Sequence, residues 1–329
     1  MPENLTDFLY FGLQLSPDGT IKRFLEDGSP EPGFDAWHHG EILGGMIDEA
    51  DSLGVRLGLT IVAQDNDEIT ELLNCPACWV NTVDASVREM DVNNAQSLVL
   101  DIEYSGIAPQ ELRLQMNEFV KYVVAEVHSQ VPNSKVLVST YANAAYRQRL
   151  HDVHTLSGLA DSIIIMAYDF YPLEGESAGP IAPLGGAPVK FRYDLTMMLD
   201  DYLKVAPAEK LIMGVPFYAH SWVTESEDFA SPRVIGSDLV GYSKVLFVKS
   251  CSEHSQNTEE SRKFDLEAQS PWFSYRDPDT GSFRQCYYED QQSITAKANL
   301  ARSNGLKGVS VWAMGLEGND TFLWDALNK

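Results

Sequence analysis

Ser97-Leu98-Val99-Leu100-Asp101-Ile102-Glu103 begins as an apolar run and closes on two acids. The run is too short for a helix and apolar on both faces as far as Leu100, the pattern of a parallel-sheet strand covered on both sides. In extended backbone, residues two apart share a side. Asp101 and Glu103 therefore point one way, and Leu100 and Ile102 the other. With Cα atoms about 6–7 Å apart, the two carboxylates cannot ionise independently. One is driven toward its protonated form, as a general acid at neutral pH requires. Two acids at a strand exit are equally compatible with plain solvation, so the pair alone decides nothing about function.

Working outward, similar β-branched runs recur at residues 7–15, 55–62, 135–141, 162–168, 210–216 and 308–312. Stretches of helical period lie between them, at 40–52, 83–95, 109–130, 143–157, 193–205, 291–303 and 320–327. This alternation predicts an α/β chain of the (β/α)8 barrel type. Seven strands are counted, and nothing before Asp7 supplies an eighth, so the barrel is expected to lack its first strand. The span from Pro216 to Gln291 is too long for a simple loop. Strand-like pieces at 241–248, 272–275 and 283–288 flank an Asp277-Pro278-Asp279-Thr280-Gly281 turn, which is hairpin grammar. Residues 1–223 and 291–329 are accordingly read as the barrel and 224–290 as a small β-rich insertion, with charge-rich 252–263 as a mobile excursion from it.

The chain has 329 residues, 44% of them hydrophobic and 22% charged, which suits one barrel with an inserted subdomain and excludes a disordered polymer. Its 24 Lys and Arg against 48 Asp and Glu give a net charge of −24. Such a surface repels nucleic acid and anionic lipid, whereas a neutral glycan approaches it without Coulomb cost. No apolar run approaches the roughly 20 residues of a membrane helix. Residues 8–15 read as a strand and not as an export signal. Cys75-Pro76-Ala77-Cys78 has the spacing of a redox motif or half a zinc site, but Cys251 and Cys286 provide no second pair motif, so no metal or cofactor is expected. Disulfides and free thiols both fit these four cysteines, and oligomeric state has no marker in the sequence.

In barrels, functional residues gather at the C-terminal ends of strands. Besides Asp101 and Glu103, three strand ends carry chemistry. Met166-Ala167-Tyr168-Asp169 sets Met166 and Tyr168 on one face and Asp169 at the start of a loop. The aromatic exit Gly214-Val215-Pro216-Phe217-Tyr218-Ala219-His220-Ser221-Trp222 is the second, and Trp312 closes the last strand. Sugar rings have apolar C–H faces that stack on indole and phenol rings, although any single aromatic is more often core.

In this order the motifs resemble glycoside hydrolase family 18, the chitinase-like barrels, over most of the chain from Leu5 onward. The stretch Gly179-Pro180-Ile181-Ala182-Pro183-Leu184 further resembles bacterial spore-cortex and cell-wall members. The resemblance implies substrate-assisted retaining hydrolysis of N-acetylglucosamine-containing glycans, chitin oligomers or peptidoglycan, by an exported protein. It implies Glu103 as acid and then base, with Asp101 and Tyr168 on the substrate's acetamide. Met166 and Asp169 would line that subsite and Trp312 would form its floor. Tyr10, Phe11, Tyr218, Trp222 and Trp272 are added as candidates for extending the cleft.

Three features depart from the family pattern. Gln96 and Val99 occupy the two upstream acidic positions of Asp-x-x-Asp-x-Asp-x-Glu. Thr60-Ile61-Val62-Ala63 stands where Ser-x-Gly-Gly is usual, and the first strand is absent. Val99 cannot share a proton with Asp101, so slower turnover is expected. The alternatives are a lectin-like sugar binder that cleaves weakly or not at all, and a truncated product that folds poorly because its sheet edges are open.

Overall fold

Strand and helix alternate as the apolar periodicity requires, and a computed structural model describes residues 2, 5–236, 243–257, 262–318 and 321–328. The chain divides into two compact units, Met1–Ile165 with Val205–Leu211 and Met166–Lys204 with Ile212–Lys329.

The first unit runs β1 (Asp7–Gln14), α1 (Pro32–His39), α2 (Glu41–Ser52), β2 (Arg56–Ala63), α3 (Asn66–Leu73), α4 (Pro76–Val92), β3 (Ser97–Ile102), α5 (Gln110–Gln130), β4 (Lys135–Tyr141), α6 (Val153–Leu159) and β5 (Ser162–Met166). The strands lie side by side in sequence order, β1-β2-β3-β4-β5. From β1 to β4 neighbouring strands pair in parallel. Every residue of β3 is buried, as its two-sided apolar pattern predicts. Gly58 of β2 has no room for a side chain, because a Cβ there would run into Leu9 on one neighbour and Ser97 on the other.

Two helices of this unit escaped the periodicity because each is only eight residues long. Both have legible starts. Glu31 accepts from Phe34 N ahead of Pro32, and Asp65 accepts from Asp67 N and Glu68 N. The helix expected at 83–95 begins earlier, at Pro76, a favoured first helical residue. The helix expected at 143–157 is replaced by turns followed by α6, whose start is set by the Asp152 side chain accepting from Thr155 N.

The second unit contains α7 (Leu195–Leu203), β6 (Leu211–Pro216), β7 (Tyr218–Thr224), β8 (Lys244–Phe247), α8 (Val248–Asn257), β9 (Lys263–Asp265), β10 (Ser270–Arg276), β11 (Phe283–Tyr287), α9 (Gln291–Ser303), β12 (Gly308–Trp312) and α10 (Phe322–Leu327). β6 and β12 pair in parallel, giving seven strands of the parallel series among the described residues, the number counted from the sequence. The hairpin grammar resolves into an antiparallel sheet of order β8-β7-β11-β10-β9. Along the chain its first strand is β7, which begins at Tyr218. Much of the stretch expected to be a mobile excursion is α8, and residues 258–261 of it, like Gly241, Tyr242 and Asp320 of other expected elements, lie outside the described residues.

All four cysteines are paired, Cys75 with Cys78 and Cys251 with Cys286. That closes the choice the sequence left open between thiols and disulfides. The second bond joins α8 to β11. A fully buried ion pair, Lys297 Nζ to Glu289 Oε2 at 2.7 Å, links α9 to the chain just after β11.

Candidate active site

Strand register brings the carboxylate site of the first unit together. Ala63 pairs with Ile102, so the next residues, Gln64 and Glu103, emerge side by side, and Glu103 N still donates to Ala63 O at 2.7 Å. Leu100 pairs with Val138, and the same register carried three residues onward sets Tyr141 opposite Glu103. The side chains follow the backbone. Gln64 Nε2 donates to Glu103 Oε1 at 2.7 Å, and the Tyr141 hydroxyl is hydrogen-bonded to the same carboxyl. Tyr141 in turn lies under Arg149, whose Cζ is 4.6 Å from the ring centroid. Burial, and then the Glu103 charge, hold the Tyr141 hydroxyl above the usual phenol range, so it remains a donor.

Asp101 shares the strand with Glu103 but not its surroundings. It is 3% exposed, and its Oδ1 is buried with no hydrogen-bond partner among the described residues. Burial is the main cause that pushes its carboxyl up to about 7. The neighbouring Glu103 charge adds to the shift and the Ser139 hydroxyl opposes it. Val99, at the upstream acidic position of the family pattern, is buried and apolar and supplies nothing to Asp101. The outcome is one buried carboxyl that exchanges its proton near neutrality beside a partly exposed one held by two donors. Pairs of acids set in unlike environments are how acid and base roles are divided.

On β1, Phe11 is exposed and Tyr10 is half-buried. The Tyr10 ring stacks on Trp37 at 5.1 Å, and its hydroxyl donates to Gly33 O at 2.7 Å. Its phenol is pushed up to about 12, chiefly by burial and then by the Glu31 charge. Tyr10 thus takes part in the packing of β1 against α1.

The second unit assembles its own polar cluster. Asp169 takes a positive φ of 55°, a conformation an aspartate tolerates better than most residues, and this turns it out of the strand line. The Tyr218 hydroxyl donates to its Oδ1 at 2.5 Å, and His220 Nε2 lies 3.8 Å from the same oxygen. Burial, and then Asp169, hold the Tyr218 phenol well above its ordinary range, while burial lowers His220. Tyr168 meets Tyr218 edge-on with centroids 6.2 Å apart. Met166 and Tyr168 are half-buried, as is Trp312, whose carbonyl accepts from Phe217 N.

Trp222 and Trp272 differ from the expectation that they extend a cleft. Trp222 has no exposed surface, and its indole N–H is spent on Leu173 O at 3.1 Å. Trp272 stacks on Tyr287 at 5.5 Å in the same apolar cluster. Alternation along an antiparallel strand turns these rings into the sheet's own core, a choice of face that composition cannot reveal. Gln64, Ser139 and Tyr141 were missed for the opposite reason. None is unusual in sequence, and only the pairing register places them beside the two acids. Among the described residues no group of His, Cys, Asp and Glu could hold a metal ion.

The family model described as glycosyl hydrolases family 18 matches residues 78–317. The cortical fragment-lytic enzyme of Bacillus subtilis (strain 168) is 25% identical over 222 residues, covering 66% of this chain and 46% of its own length. This chain therefore spans about half of that relative. Among solved structures, the Bacillus megaterium QM B1551 spore cortex-lytic enzyme SleL superposes with a TM-score of 0.78 at 18% identity, over 99% of this chain and 67% of the other. The Ostrinia furnacalis Group IV chitinase in complex with allosamidin gives 0.81 at 19%, over 100% and 91%. These likenesses show the fold, a chitinase-like β/α barrel that carries an antiparallel sheet ahead of its last strand.

Proposed function

Because the chain belongs to glycosyl hydrolases family 18, we propose that it hydrolyses glycosidic bonds of N-acetylglucosamine-containing glycans, chitin oligosaccharides or peptidoglycan. The reading rests above all on Asp101, a buried carboxyl with an unused oxygen and a pKa pushed to about 7, two residues before Glu103. An unsatisfied buried acceptor is costly unless a ligand completes it. The acetamide N–H of a bound sugar does so.

In the proposed reaction, Glu103 protonates the leaving glycosidic oxygen while the substrate's own acetamide oxygen attacks the anomeric carbon. The C–O bond to the leaving sugar breaks, and a cyclic, positively charged intermediate forms. Asp101 orients the acetamide and stabilises that charge, and Tyr168 donates to the acetamide oxygen. Glu103, now a carboxylate, takes a proton from water. The water oxygen bonds to the anomeric carbon and the acetamide is released, so configuration is retained through two inversions. Met166, Asp169, Trp312 and Phe11 are assigned to substrate contact, with Tyr218 securing Asp169. Tyr10, Trp222 and Trp272 are assigned to packing. In this reading residues 1–217 and 291–329 form the catalytic barrel. Residues 218–290, which carry the antiparallel sheet, form the insertion, six residues earlier than the expected start at 224.

The substrate's acetamide is indispensable to this chemistry. A chitobioside with a fluorogenic aglycone is expected to be cleaved, and the cellobioside of the same aglycone to be inert. Equal cleavage of both would remove the acetamide from the mechanism. Binding of chitin oligosaccharide without product would instead identify a lectin-like binder.

A further inference from the structure

The protonatable group proposed for catalysis sits on three rotatable bonds at a strand end, so something must fix its direction. We infer that Gln64 and Tyr141 are positioning residues that together clamp the Glu103 carboxyl toward the leaving group. The inference rests on the assignment of Glu103 as acid.

Neither side chain belongs to the acidic motif, and each comes from a strand adjacent to β3. Gln64 follows β2 and donates from Nε2 to Oε1 at 2.7 Å, while Tyr141 ends β4 and bonds the carboxyl from the other side of the strand. Two donors from opposite neighbours stop a carboxyl from rotating in a way that one donor cannot. The Tyr141 ring is itself held. Arg149 covers its face at 4.6 Å and is anchored by Nε to Asn143 Oδ1 at 2.9 Å and by a guanidinium nitrogen to Gly106 O at 3.3 Å. Gln64 and Tyr141 are neutral donors, so they serve Glu103 both before and after it gives up its proton.

A clamp on an acid matters most when the leaving group needs the proton. We compare kcat/KM for a chitin oligosaccharide, whose leaving sugar requires protonation, with that for a 2,4-dinitrophenyl chitobioside, whose leaving group does not. In Tyr141→Phe, which keeps the ring beneath Arg149, and in Gln64→Met, the ratio of the first to the second is expected to fall roughly tenfold, the size of one lost hydrogen bond to a charged group. A ratio unchanged in both variants, whether because neither rate moves or because both fall together, overturns the inference. Glu103→Gln run alongside separates the two levels. If it leaves the oligosaccharide rate intact, the assignment of the acid fails. If it abolishes that rate while Tyr141→Phe and Gln64→Met behave as native, only the clamp fails.

Discussion

Replacing Asp101 by Asn should make the protein more stable at neutral pH while impairing it as an enzyme. In the folded chain the Asp101 carboxyl is pushed to about 7, against an ordinary 3.8. Below pH 4 both folded and unfolded chains carry the proton and the group is neutral to stability. Between the two values the folded chain holds more protons than the unfolded one, so stability falls as pH rises and the loss is complete just above pH 7. Three pH units at 1.36 kcal/mol each set this loss at on the order of 4 kcal/mol. Asn has nearly the same shape, can still accept from Ser139, and carries no charge to desolvate. Urea unfolding of both proteins from pH 4 to 8 should therefore give stability curves that diverge toward the alkaline side, with Asp101→Asn the more stable. A difference that stays constant across that range would refute a buried, proton-exchanging Asp101. The cost would be a functional one, since strain and unfavourable burial collect where chemistry is done.

Breaking the buried ion pair of the second unit by Lys297→Met should destabilise the fold by about 3–5 kcal/mol, because Glu289 would be left charged and fully buried. Adding Glu289→Leu should restore much of the loss, which denaturant midpoints of the single and double variants would show. All four cysteines should resist alkylation in the folded, unreduced protein and take up four labels once it is reduced and unfolded, counted by intact mass.

The barrel was legible because its signal is repetitive. Each buried strand must be apolar on both faces and each covering helix amphipathic, so an error in one element leaves the others standing. The short helices α1 and α3 were lost because eight residues give barely two turns of period, although Glu31 with Pro32 and Asp65 mark their starts. In the candidate site, Asp101 and Glu103 could be paired from sequence because strand alternation is local. The neighbours that hold them could not, since Gln64, Ser139 and Tyr141 arrive through register between strands, a non-local quantity. Aromatic content misled for a related reason. Trp222 and Trp272 carry the composition of a sugar site but face a core, and which face of a strand is buried is decided by what packs on it.

The central claim is that Glu103 donates the proton that releases the leaving sugar. Hydrolysis of a fluorogenic N-acetylchitobiose glycoside by the native chain and by Glu103→Gln, side by side at equal folded concentration, tests it most directly. Turnover in the native protein and a loss of roughly a hundredfold or more in the variant, with sugar binding retained, is the predicted result. Native-like turnover in Glu103→Gln, or none in the folded native chain, would contradict it.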